Sequence, residues 1–300
     1  MNWLELEQTA VSLTFIGGLV ALVAFVIHLG TRRELFKAMG QGGMLLALLA
    51  SGTTLVARGL IAQHAPWSNL WESMVTMLFV SLVFYFVVEF WYKPRYFGVV
   101  VSPLVMILIG GASILPPHFK GAAPLMPALQ SYWIKIHVLL VLSSYAAFTM
   151  SFAAALAYFY FAWRQRREEA LLLAPVHAGG EPGTGAPGSG RSRHDESLVF
   201  FDELTYRLIL MGFPLLMIGI ITGAMWANGA WGTYWSWDPK ETWSLITWFV
   251  YAAYLHARLS HDWTGQRAAG LAALGFVSMV VTYIGVNYLS SGLHSYGFIR

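Results

Sequence analysis

The sequence predicts an all-α, polytopic integral membrane protein with about eight transmembrane helices and both termini on the outer side of the membrane. Hydrophobic residues make up 57% of the chain and charged residues only 11%, whereas soluble domains contain roughly 25% charged residues. The apolar residues form stretches long enough to cross a bilayer. Most lysines and arginines lie on one side of these stretches, which predicts how the helices are oriented.

A transmembrane helix needs about 20 apolar residues. Eight stretches satisfy or approach this length, at 10–30, 42–62, 72–92, 98–115, 132–163, 205–227, 242–260 and 268–290. The fifth is long enough to project beyond a hydrocarbon core of about 30 Å. Residues 1–163 are therefore predicted to hold helices one to five, and residues 205–300 to hold helices six to eight.

One long polar segment, 164–204, separates these two groups of helices. It contains a run rich in Gly and Pro between Gly179 and Arg191. Such a composition cannot bury a core, and we therefore predict a flexible cytoplasmic linker that serves only as a tether.

The distribution of charge predicts the orientation. Acidic residues precede the first span and basic residues follow it, which is the reverse of a signal peptide and indicates a retained helix with an outer N-terminus. With both termini outside, thirteen of the eighteen Lys and Arg residues fall in inner loops, as the positive-inside rule requires. The formal net charge of +3 is small, and we expect the lipid bilayer, and no nucleic acid, as a partner.

The chain contains no cysteine and nine histidines. Disulfides, thiolate metal sites and dithiol redox steps within this chain are therefore excluded, and any thiol chemistry must belong to a substrate or a partner. Histidine is the obvious candidate metal ligand.

Six of the thirteen tryptophans lie within residues 226–248. The predicted topology places this tryptophan loop, 226–243, on the outer side between spans six and seven. Its rings can form an interfacial aromatic belt or a platform for a planar ligand, and the close spacing of Trp231, Trp235 and Trp237 favours a platform. The run Asp238-Pro-Lys-Glu241 has the order of a helix start, with an N-cap, a proline at the first position and a capping-box glutamate.

The run Trp231-Gly-Thr-Tyr-Trp-Ser-Trp-Asp-Pro-Lys-Glu-Thr-Trp243 resembles the tryptophan-rich signature of haem-handling membrane proteins. Among these it most resembles the CcsA/ResC-type subunit of system II cytochrome c biogenesis. Four shorter stretches agree: Ser68-Asn-Leu-Trp-Glu-Ser73, Tyr132-Trp-Ile-Lys-Ile-His137, Tyr254-Leu-His-Ala-Arg258 and Gly292-Leu-His-Ser-Tyr-Gly297. The resemblance covers roughly residues 40–300.

The resemblance implies that the tryptophan loop holds haem b on the outer face of the membrane. The residues that match this haem platform are Trp231, Tyr234, Trp235, Trp237 and Asp238. The only metal expected is the iron of haem. The sequence contains no evident general base or other catalytic residue.

The resemblance also implies two histidine ligands of the haem iron at this outer site, and the matching positions are His137 and His294. The predicted topology places both on the same side as the tryptophan loop, and a pair of neutral imidazoles suits low-spin haem iron. His256 lies thirteen residues after Trp243, about 20 Å along span seven. An ionisable group at that depth is a functional hypothesis, and the resemblance implies an intramembrane haem ligand whose axial partner comes from a second subunit.

Three outer cations are candidate contacts of the haem propionates: Arg58, Lys135 and Lys240. The alternative for these cations is snorkelling toward the lipid headgroups. His64 lies in the first outer loop, and we interpret it as a loop residue rather than a neighbour of the haem edge.

The implied function is haem delivery within a holocytochrome c synthase complex. Haem enters near His256, moves to the outer site and meets an apocytochrome c with a Cys-x-x-Cys-His segment. The implied partners are a CcsB/ResB-type membrane subunit, apocytochrome c and, indirectly, a thiol-reducing thioredoxin-like protein. The expected location is the inner (cytoplasmic) membrane or a thylakoid-type membrane.

Three other functions stay open. A haem loader that passes haem to a carrier protein without ligation would use the same loop. A transporter of another solute would be expected to show inverted repeats, and the sequence contains no convincing repeat. A cytochrome b would need facing histidine pairs at one depth, and His256 has no such mate in the sequence.

Overall fold

The computed structural model describes residues 2–94, 96–122, 124–173 and 189–286, and within these ranges it contains helices and no strand. This confirms the all-α prediction. Eight helices follow one another: α1 Trp3–Thr31, α2 Glu34–Ala62, α3 Leu70–Tyr92, α4 Phe97–Ile114, α5 Tyr132–Leu173, α6 Ser189–Trp231, α7 Pro239–Ser260 and α8 Gln266–Val280. Two short 3-10 turns, Pro117–Phe119 and Pro127–Leu129, lie between α4 and α5, and a π-helical turn, Val281–Gly285, continues α8.

When the π-helical turn is counted with α8, as the continuous span Gln266–Gly285, seven of these eight helices are long and apolar enough to cross a membrane. The exception is α7, which has 22 residues and is long enough, but His256 and Arg258 near its end lower its hydropathy. The prediction of a multi-pass membrane protein is therefore confirmed. The outer position of both termini stays a prediction.

The polar segment 164–204 differs from the predicted linker. Helix α5 continues to Leu173 and α6 begins at Ser189, so helix occupies both ends of the segment, and residues 174–188 lie outside the described part of the chain. Charged side chains four residues apart support these extensions, with Arg164 and Glu168 at 3.1 Å and Arg207 and Glu203 at 2.8 Å. Such pairs stabilise the exposed side of a helix, and Phe201 and Leu204 of the α6 extension are buried in an apolar cluster.

Helix α5 is the central helix of the bundle. It forms a long hairpin with α6 and also packs against α3, α4 and α8, while α1 and α2 form a second hairpin beside α4. Two apolar clusters result. One joins α3, α5, α6, α7 and α8, and the other joins α1 to α4 with α5 and α6.

Candidate functional site

A partly open cavity of about 220 Å³ lies where α3, α5, α6, α7 and the end of α8 meet beside the tryptophan loop. Most of its lining is apolar or aromatic, and a few polar groups converge on it, as is typical of small-molecule sites. Its aromatic and titratable lining residues are Trp67, His137, Tyr145, Trp226, Tyr234, Trp235, Lys240, Glu241 and Tyr283.

Hydrogen bonds to the carboxylate of Glu241 hold the tryptophan loop in place. Glu241 Oε2 accepts hydrogen bonds from the backbone N–H of Ser236 at 2.8 Å, from Ser236 Oγ at 3.2 Å and from the N–H of Asp238 at 3.2 Å. Asp238 in turn caps α7 and accepts from the N–H of Lys240 at 2.9 Å. The helix start predicted from Asp238-Pro-Lys-Glu241 is therefore confirmed. Asp238 is buried and serves the helix start rather than lining the cavity.

The four aromatic residues predicted as a platform take different positions. Trp235 and Tyr234 line the cavity. Trp237 meets Trp235 edge to face, with ring centroids 5.8 Å apart, and is 69% exposed. Its φ is positive, at 59°. Trp231 does not line the cavity and packs edge to face against Trp226, with ring centroids 4.7 Å apart.

His137 lines the same cavity from α5. Its Nδ1 lies 2.7 Å from the carbonyl oxygen of Gly219 on α6. A carbonyl only accepts, so Nδ1 carries the proton and Nε2 carries the lone pair that binds a metal. This is the usual way in which a protein sets the tautomer of a ligand histidine. The ring plane also lies within 16° of that of buried Trp226, whose Nε1–H donates to the carbonyl of Ala128 at 2.8 Å.

Two glycines of α6 provide the space for this arrangement. A Cβ on Gly223 would lie 2.7 Å from both Cε1 and Nδ1 of His137, and a Cβ on Gly219 would lie 2.7 Å from a methyl carbon of Val141. Real Cβ atoms do not approach other atoms so closely. The glycines therefore form the groove in α6 that receives the His137 ring.

The π-helical turn at the end of α8 joins two walls of the cavity. Tyr283 OH lies 2.9 Å from Ser73 Oγ on α3. The neighbouring Thr282, which lines the cavity, has its Oγ1 2.9 Å from Thr247 Oγ1 on α7. Single π-helical turns within α-helices occur frequently at functional sites.

The three predicted cations differ in their access to the cavity. Lys240 lines it and lies at the start of α7, before the predicted span 242–260. Burial lowers the pKa of Lys240 to about 8, and the Asp238 carboxylate opposes this shift. Lys135 is exposed on α5 and does not line the cavity.

Arg58 is buried in an ion cluster instead of facing the cavity. Its Nε lies 2.9 Å from Glu72 and its Nη1 lies 3.3 Å from Glu7. The guanidinium also donates to the carbonyl of Lys120 and lies over the ring of Trp71 at 5.0 Å. These contacts join α1, α2, α3 and the loop after α4. The guanidinium of Arg58 is therefore bonded to groups of the protein itself.

His256 and His64 lie away from the cavity lining. His256 is exposed on α7, and its Nδ1 lies 3.4 Å from Ser260 Oγ. Its ring is nearly perpendicular to that of His261, with centroids 5.5 Å apart. His64 lies in the α2–α3 loop, with its Nδ1 2.9 Å from the carbonyl of Ala65.

The second predicted outer ligand, His294, falls outside the described residues, which end at Val286. Within the described ranges, His, Cys, Asp and Glu side chains form no group of three or more that could hold a metal ion.

Sequence reasoning missed several lining residues: Trp67, Tyr145, Trp226 and Tyr283. Tyr145 and Trp226 are buried in apolar helices, where nothing in the sequence separates a lining residue from a core residue. The Trp-Ser pair at 67–68 recurs at 235–236, but it also occurs at 243–244 inside α7, so the pair alone does not identify Trp67 as a lining residue.

Comparisons with known proteins identify the family of the chain. The family model described as "Cytochrome C assembly protein" matches residues 67–294. The cytochrome c biogenesis protein CcsA of Gloeobacter violaceus is 38% identical over 94% of this chain and 93% of the relative. The protein of the same name from Guillardia theta is 40% identical over 96% of both chains.

A solved structure shares the fold. The chain resembles the cytochrome c haem lyase CcmF with a TM-score of 0.69 and 16% identity, over 94% of this chain and 47% of that one. At this identity the resemblance shows a common fold alone. The family match covers more than two thirds of the sequence, and the full-length similarity to the CcsA proteins agrees with it. The chain therefore belongs to the cytochrome c assembly protein family and is a multi-pass membrane protein of cytochrome c biogenesis.

Proposed function

We propose that this chain is the haem-handling subunit of a system II cytochrome c synthase. It brings haem b, its substrate, to the outer membrane face and presents it to apocytochrome c for thioether attachment at a Cys-x-x-Cys-His segment. His137 and His294 bind the iron on the two faces of the ring. The tryptophan loop contacts the macrocycle, and Lys240 and Lys135 contact the propionates.

The observation that carries the proposal is the placement of His137 with Trp235 and Lys240 in one cavity. This places a histidine in the metal-binding tautomer, an aromatic surface and a cation around one apolar space. At about 220 Å³ the cavity is smaller than pockets that enclose whole ligands of drug size. Part of the macrocycle would then lie at the opening, near exposed Tyr234 and Trp237, where a second protein can reach it.

The position of Arg58 removes it from the proposed propionate contacts. A guanidinium already bonded to Glu72 and Glu7 in a buried cluster would have to give up those bonds before it could bind a propionate, and that exchange is costly. Lys240 is the cation that the cavity itself presents.

The position of His256 supports a second, inner haem site in the same proposal. His256 shares the exposed face of α7 with Ile246, Phe249 and Leu259, so its imidazole is directed away from this chain's own core. A CcsB/ResB-type subunit that packs on this face could supply the second axial ligand. Haem would bind here first, on its way from the inner side.

The chemistry left to this chain is positioning. Each cytochrome thiol adds across a haem vinyl group, with sulfur bonding to one carbon and hydrogen to the other, so no leaving group is formed. The cytochrome cysteines must arrive reduced, which implies a thioredoxin-like thiol reductant elsewhere. The cytochrome's own histidine then replaces His137 or His294, and the product leaves. The site of action is the outer face of a cytoplasmic or thylakoid-type membrane.

The test is the absorption spectrum of the full chain, purified with its companion subunit from haem-replete cells. The wild type is expected to show low-spin, bis-histidine haem, and His137→Ala to lose it or convert it to a high-spin form. His64→Ala is the matched control, because His64 lies in an outer loop and does not line the cavity, and its spectrum should not change. Wild-type protein without haem would reject the proposal. Haem that reaches apocytochrome only non-covalently would favour the loader.

Binding of haem is expected to weaken as the pH rises through about 8. Below the pKa of about 8, Lys240 is a cation and attracts a propionate, whereas above it the neutral amine does not. Haem titrations between pH 7 and 9.5 should therefore show falling affinity, together with proton uptake on binding near pH 8. Lys240→Gln should bind haem more weakly at pH 7 and should flatten this dependence. An unchanged pH profile in Lys240→Gln would show that other groups hold the propionates.

A further inference from the structure

Two loops at the cavity have the same construction. The first is Trp67-Ser-Asn69 before α3, and the second is Trp235-Ser-Trp-Asp238 before α7. In the first, the backbone N–H and Oγ of Ser68 donate to one carboxylate oxygen of Glu72 at 2.8 and 2.9 Å. In the second, as described above, Ser236 makes the same two bonds to Glu241.

The helix caps continue this correspondence. Asn69 accepts a hydrogen bond from the N–H of Glu72 at 2.9 Å, and Asp238 caps α7 in the same position, three residues before Glu241. The second loop has one additional residue, Trp237, between the serine and the cap. This inserted residue has the positive φ and faces outward. Trp67 is therefore the counterpart of Trp235, because each immediately precedes the anchored serine.

Both counterparts line the same cavity. They lie on loops that precede two different helices, α3 and α7. The end of α8 bridges these helices through the bonds of Tyr283 and Thr282. The first loop is also the more firmly held, because Glu72 is fully buried and binds Arg58 as well as Ser68. An aromatic ring on such a fixed loop is already ordered before a ligand binds, which reduces the entropic cost of binding.

We propose that Trp67 is a second haem-contacting residue, and that the Trp67 and Trp235 loops together clasp the macrocycle at this cavity. This inference rests on the proposed haem-binding function. A flat apolar ligand loses more contact with water when aromatic rings from two loops lie against it, and ring–ring contacts add to that gain. The clasp accounts for the shared construction of the two loops, since both use a buried glutamate to hold a tryptophan at the same cavity.

The test is haem titration of the full chain in nanodiscs, followed at the Soret band, with Trp67→Ala, Trp67→Phe and Trp235→Ala. Trp133→Ala is the control, because Trp133 lies on the outer part of α5 and does not line the cavity. Trp67→Ala and Trp235→Ala are each expected to bind haem about three- to tenfold more weakly, and Trp67→Phe should recover part of the loss. The bis-histidine spectrum of the bound fraction should persist, since neither change removes an iron ligand.

Ser68→Ala and Ser236→Ala test the shared construction. Each removes one of two bonds to the glutamate, and both are expected to lower haem affinity to a similar, smaller extent than the tryptophan changes. If Trp67→Ala binds as well as Trp133→Ala while Trp235→Ala is weakened, the clasp is rejected and the proposed function stands. If the wild type binds no haem, the proposed function itself is rejected. If Trp67→Ala lowers the free energy of unfolding of the haem-free protein by as much as it lowers the free energy of haem binding, Trp67 is a packing residue and the inference fails.

Discussion

Replacing Gly223 with alanine is expected to abolish normal haem ligation at the outer site while leaving the helix bundle folded. The new Cβ would lie 2.7 Å from Cε1 and Nδ1 of His137, so the imidazole would have to move and break its bond to the Gly219 carbonyl. Loss of a bond that orients a ligand histidine typically costs 10- to 100-fold in affinity. Alanine also has the higher helix propensity, by about 1 kcal/mol, so α6 itself should not be weakened.

The same helix offers a matched control for this substitution. A Cβ on Gly229 would have no atom within 4 Å, so Gly229→Ala should keep the wild-type spectrum and affinity. The measurements are haem affinity, the spin state from the absorption spectrum and the melting temperature of the haem-free protein. A Gly223→Ala protein with a wild-type bis-histidine spectrum would show that His137 does not depend on this groove, or that it is not a ligand.

Replacing Arg58 with leucine is expected to destabilise the protein by about 3–5 kcal/mol, because it leaves the buried carboxylates of Glu72 and Glu7 without their cation. Arg58 is 5% exposed and Glu72 is fully buried, so water cannot replace the guanidinium. The loss should appear as a lower melting temperature in detergent and as faster proteolysis of the α2–α3 loop.

Two further variants separate this effect from a general loss of charge. Arg207→Ala removes an exposed pair with Glu203, which is expected to contribute less than about 1 kcal/mol. Adding Glu7→Gln to Arg58→Leu removes one of the uncompensated charges and should restore part of the stability. Equal melting temperatures for Arg58→Leu and Arg207→Ala would mean that the buried cluster contributes no more than a surface pair.

The helices were predictable because membrane-spanning stretches are defined by composition and length. The predicted spans at 42–62 and 72–92 end at the residues where α2 and α3 end, at Ala62 and Tyr92. The start of α7 was equally predictable, because an N-cap, a proline and a glutamate act within one turn of helix. The extensions of α5 and α6 were missed. Their charged residues lie outside the apolar spans, and hydropathy alone therefore predicted a linker instead of helix.

The candidate site was predictable in part. Trp235, Tyr234, His137 and Lys240 were identified from the tryptophan loop and the resemblance, and they line one cavity. The function of Arg58 was not evident, because a basic residue at a predicted helix end looks the same whether it faces a ligand or two carboxylates. Its partners are 14 and 51 residues away in sequence.

Local patterns were enough to predict a helical membrane protein with an aromatic loop between two helices, because hydropathy, capping and residue spacing act over one to six turns of chain. The side chains that share a cavity became evident only from the packing of the helices. The Gly219 carbonyl accepts a hydrogen bond from His137 Nδ1 across 82 positions, and the Tyr283 hydroxyl is hydrogen-bonded to Ser73 Oγ across 210. Such pairs depend on how α5, α6, α3 and α8 pack, and helix packing is set by the combined shapes of many side chains rather than by any local pattern.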